Sequence, residues 1–195
     1  MRTLGKLILD AAGWTIDGGA PPVDKFVLIA APHTSNWDFV YALACTNALG
    51  LAVHWMGKDD LFRGPQSRMF RALGGIAVDR SKKNDLVRTM AAQFDGPGPF
   101  VLLVPAEGTR SRGTHWKSGF YHIARTAGVP VAPGFLDYPS KRVGIGPLQH
   151  LTGDVRADMA KIRAFYADKR GKHHEMFTPP VLREEDTTGG VKTAR

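Results

Sequence analysis

Two uninterrupted apolar runs constrain this chain most: Phe26-Val27-Leu28-Ile29-Ala30 and Phe100-Val101-Leu102-Leu103-Val104. Side chains of a strand alternate between its two faces. A run with no polar position therefore has no solvent face and must lie inside a sheet covered on both sides. Shorter strand patterns occur at 52–56, 75–78, 129–136 and 142–145. Helical patterns fall between them, at 38–49, 85–94 and 118–126, and a last one at 154–170 carries Val155, Met159, Ile162, Phe165 and Tyr166 inward. Gly50, Gly128 and Gly171 stand where helix stops are expected. This alternation predicts an α/β fold, a single domain with a mixed, mostly parallel central sheet flanked by helices. A length of 195 residues fits one domain.

Each apolar run leads directly into a polar cluster. The first is His33-Thr34-Ser35-Asn36-Trp37-Asp38, and the second is Pro105-Ala106-Glu107-Gly108-Thr109-Arg110-Ser111. Segments that leave the carboxyl ends of buried strands are where open α/β sheets bind ligands. His33 titrates near neutrality and can take a proton, and Asp38 can fold back to orient the ring and stabilise the imidazolium. Gly108 permits a tight turn. Arg110 offers a fork matched to phosphate, and Thr109 and Ser111 add hydroxyl donors. Glu107 cannot bind a phosphate directly and is expected to accept hydrogen bonds that hold its loop. Arg80, at the end of a short strand, and Lys117 are further candidate cations. Taken singly, His33 reads as a structural loop histidine, Asp38 as a helix N-cap and the second cluster as a surface turn. Taken together, they supply a base, its orienter and an anion clamp, with no protein nucleophile. That set suits direct attack by a substrate hydroxyl.

Lys and Arg number 26 against 18 Asp and Glu, a formal charge of +8, which favours an anionic partner. A nucleic-acid reader should add a binding motif or interleaved aromatics, and neither is found, so nucleic acid is not expected as a partner. The single Cys45 excludes an intramolecular disulfide. The Cys and His spacing suggests no zinc site, and His173-His174 reads as a solvated basic stretch.

The chain resembles the glycerolipid (lysophospholipid) acyltransferase family, whose best-known activity is that of 1-acylglycerol-3-phosphate acyltransferase. The resemblance spans about 25–135. His33 to Asp38 is similar to that family's His-four-residues-Asp motif. Gly75 to Arg80 is similar to its second block, and Pro105 to Ser111 to its Pro-Glu-Gly-Thr-Arg-Ser block, with Ala106 inserted. Val129-Pro130-Val131-Ala132-Pro133 is similar to its fourth block. The resemblance implies a glycerol-3-phosphate acyltransferase-like fold. It also implies transfer of a fatty acyl group from acyl-CoA or acyl-carrier protein to the hydroxyl of a lysophospholipid, with no acyl-enzyme. His33 would be the general base and Asp38 its orienter. Arg80, Glu107, Gly108, Thr109, Arg110 and Ser111 would bind the acceptor, and Val129 to Pro133 would help shape the donor or acyl site. Lysophosphatidate, giving phosphatidate, is the default acceptor; another lysophospholipid, glycerol 3-phosphate or an amino-lipid hydroxyl stays open. No metal is implied, and no cofactor beyond the thioester co-substrate.

Three segments follow: an N-terminal amphipathic helix within 1–20, an acyltransferase domain at 21–180, and an unstructured polar tail at 181–195. The helix, at 4–15, gathers Leu4, Leu7, Ile8, Ala11, Ala12 and Trp14 near one face. It reads either as packing on the domain or as lying at a membrane interface, and the two are not exclusive. With no apolar run resembling a signal core or a clear span, the expectation is a cytoplasmic protein peripheral to the inner face of the cytoplasmic membrane. Its partners would be the two lipid substrates, an anionic membrane surface and, as an alternative donor, acyl-carrier protein. The competing function is a non-catalytic lipid or acyl-carrier binding protein on the same scaffold.

Overall fold

The computed structural model describes residues 2–78 and 83–187. Among them, seven strands form one sheet in the order β1-β7-β6-β2-β5-β3-β4. The strands are β1 (Thr15–Asp17), β2 (Lys25–Ala31), β3 (Val53–Lys58), β4 (Gly75–Val78), β5 (Phe100–Val104), β6 (Val131–Asp137) and β7 (Arg142–Ile145). All neighbours pair in parallel except β6 and β7, so the sheet is mixed but mostly parallel, as expected. The helices are α1 (Arg2–Ala11), α2 (Trp37–Leu49), α3 (Ser67–Ala72), α4 (Lys83–Ala92), α5 (Gly119–Ala127), α6 (Val155–Tyr166) and the short α7 (Glu184–Thr187).

The apolar runs are apolar throughout because both faces of the sheet are covered. Val27, Ile29, Leu102 and Val104 point into a core with Met90 of α4, Phe120 and Ile123 of α5, and Met159, Ile162 and Tyr166 of α6. Phe26, Leu28, Val101 and Leu103 point the other way, against Trp55, Phe62 and the Phe39, Ala42 and Leu43 side of α2. A third cluster joins Leu9 of α1 and Trp14 to Ala44 and Cys45 of α2 and to Leu136 and Val143. β2 and β5 are neighbours in register, Ile29 opposite Val104. The loops that follow them therefore leave the same edge of the sheet side by side, although 74 residues separate His33 from Glu107.

Four expectations change. The N-terminal helix ends at Ala11, and Trp14 lies beyond it, packed on Tyr41 and Tyr138. Its buried stripe is Gly5 and Leu9, while Leu4 and Leu7 are 64% and 60% exposed. The cause is Gly5: a Cβ there would stand 2.2 Å from the Ala44 carbonyl oxygen, so only glycine lets α1 approach α2 this closely. The last long helix stops at Tyr166 rather than Gly171, because the Arg170 N–H donates to the Asp137 carboxylate and the Arg170 carbonyl accepts from Tyr138 N–H. Residues 181–187, expected in the tail, are docked: Leu182 is fully buried, and Glu185 pairs with Arg163 at 2.7 Å. β1 and α3 had no sequence expectation. Three residues at a sheet edge and six in a helix carry too little periodicity to read.

Candidate active site

His33 stands two residues past the end of β2, and Asp38 lies in the first turn of α2. The helix N-cap is Asn36, so Asp38 is not the cap. Its Oδ2 instead accepts the backbone N–H groups of Thr34 and Ser35, both at 2.7 Å, and lies 3.7 Å from His33 Nδ1. Its Oδ1 accepts the Tyr138 hydroxyl at 2.6 Å. The carboxylate is buried and faces the histidine ring across an ion-pair distance, with Nε2 the ring nitrogen turned away from it. Burial lowers the His33 pKa below its ordinary value, Asp38 opposes that, and the nearby Arg110 charge adds to it.

Glu107 lies under this loop. Its Oε1 accepts His33 N–H at 2.6 Å and its Oε2 accepts Thr178 N–H at 2.9 Å. It is buried, and burial pushes its pKa up to about 7 against the two backbone donors. Both oxygens are occupied from within the protein. These two bonds tie the His33 loop and the segment at Thr178 to the Glu107 carboxyl group. Gly108, at φ +70°, turns the chain where a Cβ would meet Lys117 Cγ at 2.6 Å. The exposed residues Thr109, Arg110 and Ser111 follow, with Ser111 N–H donating to Thr109 Oγ1. The Arg110 guanidinium donates to Asn36 Oδ1 and so bridges the two motifs. Arg80 lies outside the described residues.

Between the motifs opens a cavity of about 80 Å³ lined by His33 and Asp38 and by apolar side chains, Phe39, Ala42, Trp55, Met56, Leu103 and Leu136 among them. The Val129–Pro133 segment is not at this cavity. Val131 pairs with Val27 at the opposite end of β2 from Ala31, which faces Phe135. The residues of β6 that reach the site are at its carboxyl end, and sequence reading missed them along with Tyr138. Among the described residues no group of three or more His, Cys, Asp or Glu side chains is placed to hold a metal ion.

A general acyltransferase family model matches residues 20–136, more than half of the chain. The chain belongs to the acyltransferase family. It is 30% identical over 127 residues to a 1-acyl-sn-glycerol-3-phosphate acyltransferase of Salmonella typhimurium, covering 62% of this chain and 50% of that protein. It is 28% identical over the same length to the enzyme of that name from Escherichia coli, with the same coverage. The chain thus spans about half the length of these relatives. The crystal structure of the 1-acyl-sn-glycerophosphate (LPA) acyltransferase PlsC from Thermotoga maritima superposes with a TM-score of 0.59 at 18% identity, covering 83% of this chain and 72% of that one. At that identity the likeness speaks for the fold, which both family members share.

Proposed function

We propose that this protein transfers a fatty acyl group from a thioester donor, acyl-CoA or acyl-carrier protein, to the free hydroxyl of 1-acyl-sn-glycerol 3-phosphate, giving phosphatidate. The observation that carries the reading is the His33–Asp38 pair lining a largely apolar cavity, with Arg110 close enough to influence the histidine. The names of the relatives favour this acceptor.

In this mechanism the acceptor hydroxyl approaches His33 Nε2. Its oxygen attacks the thioester carbonyl carbon as Nε2 takes the proton. The tetrahedral intermediate then collapses, the C–S bond breaks, and the imidazolium returns the proton to the departing sulfur. Asp38, on the Nδ1 side, stabilises the imidazolium while it lasts. The depressed His33 pKa suits a base, since the ring is neutral over more of the physiological range. Arg110, Thr109 and Ser111 receive the acceptor phosphate, with Arg80 as a further cation. Glu107 and Gly108 set the loop's shape rather than touching the acceptor. The apolar lining of the cavity takes the acyl chain.

Attachment to an anionic membrane surface, the cytoplasmic leaflet, completes the reading. Leu4, Leu7 and Ile8 on α1 are exposed, as are Trp37 and Val40 at the start of α2, beside the site. Leucines and a tryptophan on exposed helical surface are what an interfacial contact uses, and the +8 charge favours anionic lipid. Among the described residues no helix is long and apolar enough to cross a membrane. Formation of phosphatidate from oleoyl-CoA and lysophosphatidate tests the reaction. Its absence with either donor, together with retained lipid binding, would favour the non-catalytic alternative.

A further inference from the structure

Asp38 is held from two independent directions. The backbone donors of Thr34 and Ser35 belong to the same loop as His33. They hold the Oδ2 side of the carboxylate, and the loop is in turn tied to the domain through His33 N–H to Glu107 and His173 N–H to Thr34 Oγ1. The Tyr138 hydroxyl is different, because it arrives from 100 residues away, just past the end of β6. Its own backbone is fixed on both sides: Tyr138 N–H donates to the Arg170 carbonyl at 2.9 Å, and its carbonyl accepts Lys141 N–H at 3.3 Å. Its ring meets Trp14 edge-on, centroids 4.9 Å apart, and lies 6.4 Å from Tyr41. Claiming Oδ1 leaves Oδ2 to face His33.

Resting on the acyl-transfer reading above, we propose that Tyr138 is a positioning residue for this reaction: its hydroxyl sets which oxygen of Asp38 faces the His33 ring and how much of the carboxylate's charge the ring feels. Burial and the neighbouring carboxylate raise the phenol's pKa, so it stays a donor. Among the described residues, the other titratable or charged groups that act on His33, Asp38 or Tyr138 are Glu107 and Arg110 from the loop after β5 and Tyr41 from α2.

The test follows the His33 imidazole by NMR titration in the wild type and in Tyr138→Phe, which keeps the ring and removes the hydroxyl. Losing that donor leaves more of the carboxylate's charge to the imidazolium, so the His33 midpoint should rise by about half a pH unit. In the same variant kcat should fall about tenfold, with both KM values within about twofold. An unmoved midpoint and an unchanged kcat, with or without a lower melting temperature, would overturn the proposal and leave Tyr138 as packing. The titration does not depend on turnover. If the wild type transfers no acyl group, the functional reading fails while the midpoint still decides this one. Should the phenylalanine variant not fold, 3-fluorotyrosine at 138 makes the hydroxyl a stronger donor and should move the midpoint down; no movement there would equally overturn the proposal.

Discussion

Glu107 Oε1 accepts the backbone N–H of His33 at 2.6 Å, so the acidic residue of the second motif holds the histidine of the first in place. Its other oxygen accepts Thr178 N–H, which ties the C-terminal segment to the same point. The two motifs are thus one structure: a histidine on one loop, an arginine on the next, and a buried carboxyl group fastening them.

That arrangement sets the outcome of Glu107→Gln. The amide has one acceptor oxygen where the carboxylate has two, so one of the two backbone donors loses its partner, at a cost of about 1–3 kcal/mol. Turnover should fall through a looser His33 while the acceptor KM stays near the wild-type value. Denaturation followed by steady-state kinetics checks both. A large rise in acceptor KM alone would put Glu107 back at the acceptor.

The same carboxyl makes stability depend on pH. Its folded pKa is raised from 4.5 to about 7. The unfolded chain therefore loses its proton first, and the contribution of Glu107 is present below about 4.5 and lost as pH rises through about 7. Denaturant unfolding across that range should show stability falling with rising pH in the wild type and less so in Glu107→Gln.

The depressed pKa of His33 places the acid limb of the rate profile. A base must be neutral, so kcat/KM should rise with pH to a midpoint below the ordinary histidine value of about 6.5. Arg110→Ala removes the charge that adds to burial in lowering it, so the limb should move to higher pH as the acceptor KM rises. The loss of a charge-assisted hydrogen bond corresponds to roughly 1.5–3 kcal/mol in kcat/KM. An acceptor dependence that does not change would make Arg110 structural.

Membrane attachment through α1 predicts that Leu4→Asp with Leu7→Asp abolishes sedimentation with anionic vesicles while the melting temperature holds, since both side chains are exposed. Gly5→Ala should do the reverse in part. Its Cβ has no room against Ala44 of α2, so stability should drop by about 1–3 kcal/mol.

Much of this was legible locally. The runs at Phe26 and Phe100 carried the central strands because burial on both faces leaves a mark at every position, and the polar clusters directly after them come together at one edge of the sheet. What was not legible depends on pairing across the chain. That Val129 to Pro133 lies at the far end of β6 follows only from register with β2. Tyr138 has no local signal, since its partner is 100 residues away. Hydrophobic periodicity in α1 picks out the leucines, whereas the close helix crossing is decided by the residue with the least side chain, Gly5. The docking of residues 181–187 rests on the buried Leu182 and on polar contacts to Arg163, Arg156, Trp116 and His115, partners distant in sequence that leave no local pattern.

Acyl transfer through His33 is tested most directly by free-thiol release from oleoyl-CoA by the purified protein, with and without lysophosphatidate, beside His33→Ala. The account predicts release that requires the acceptor and is abolished in a variant that folds normally. Release independent of the acceptor, or turnover in His33→Ala close to the wild-type rate, would contradict it.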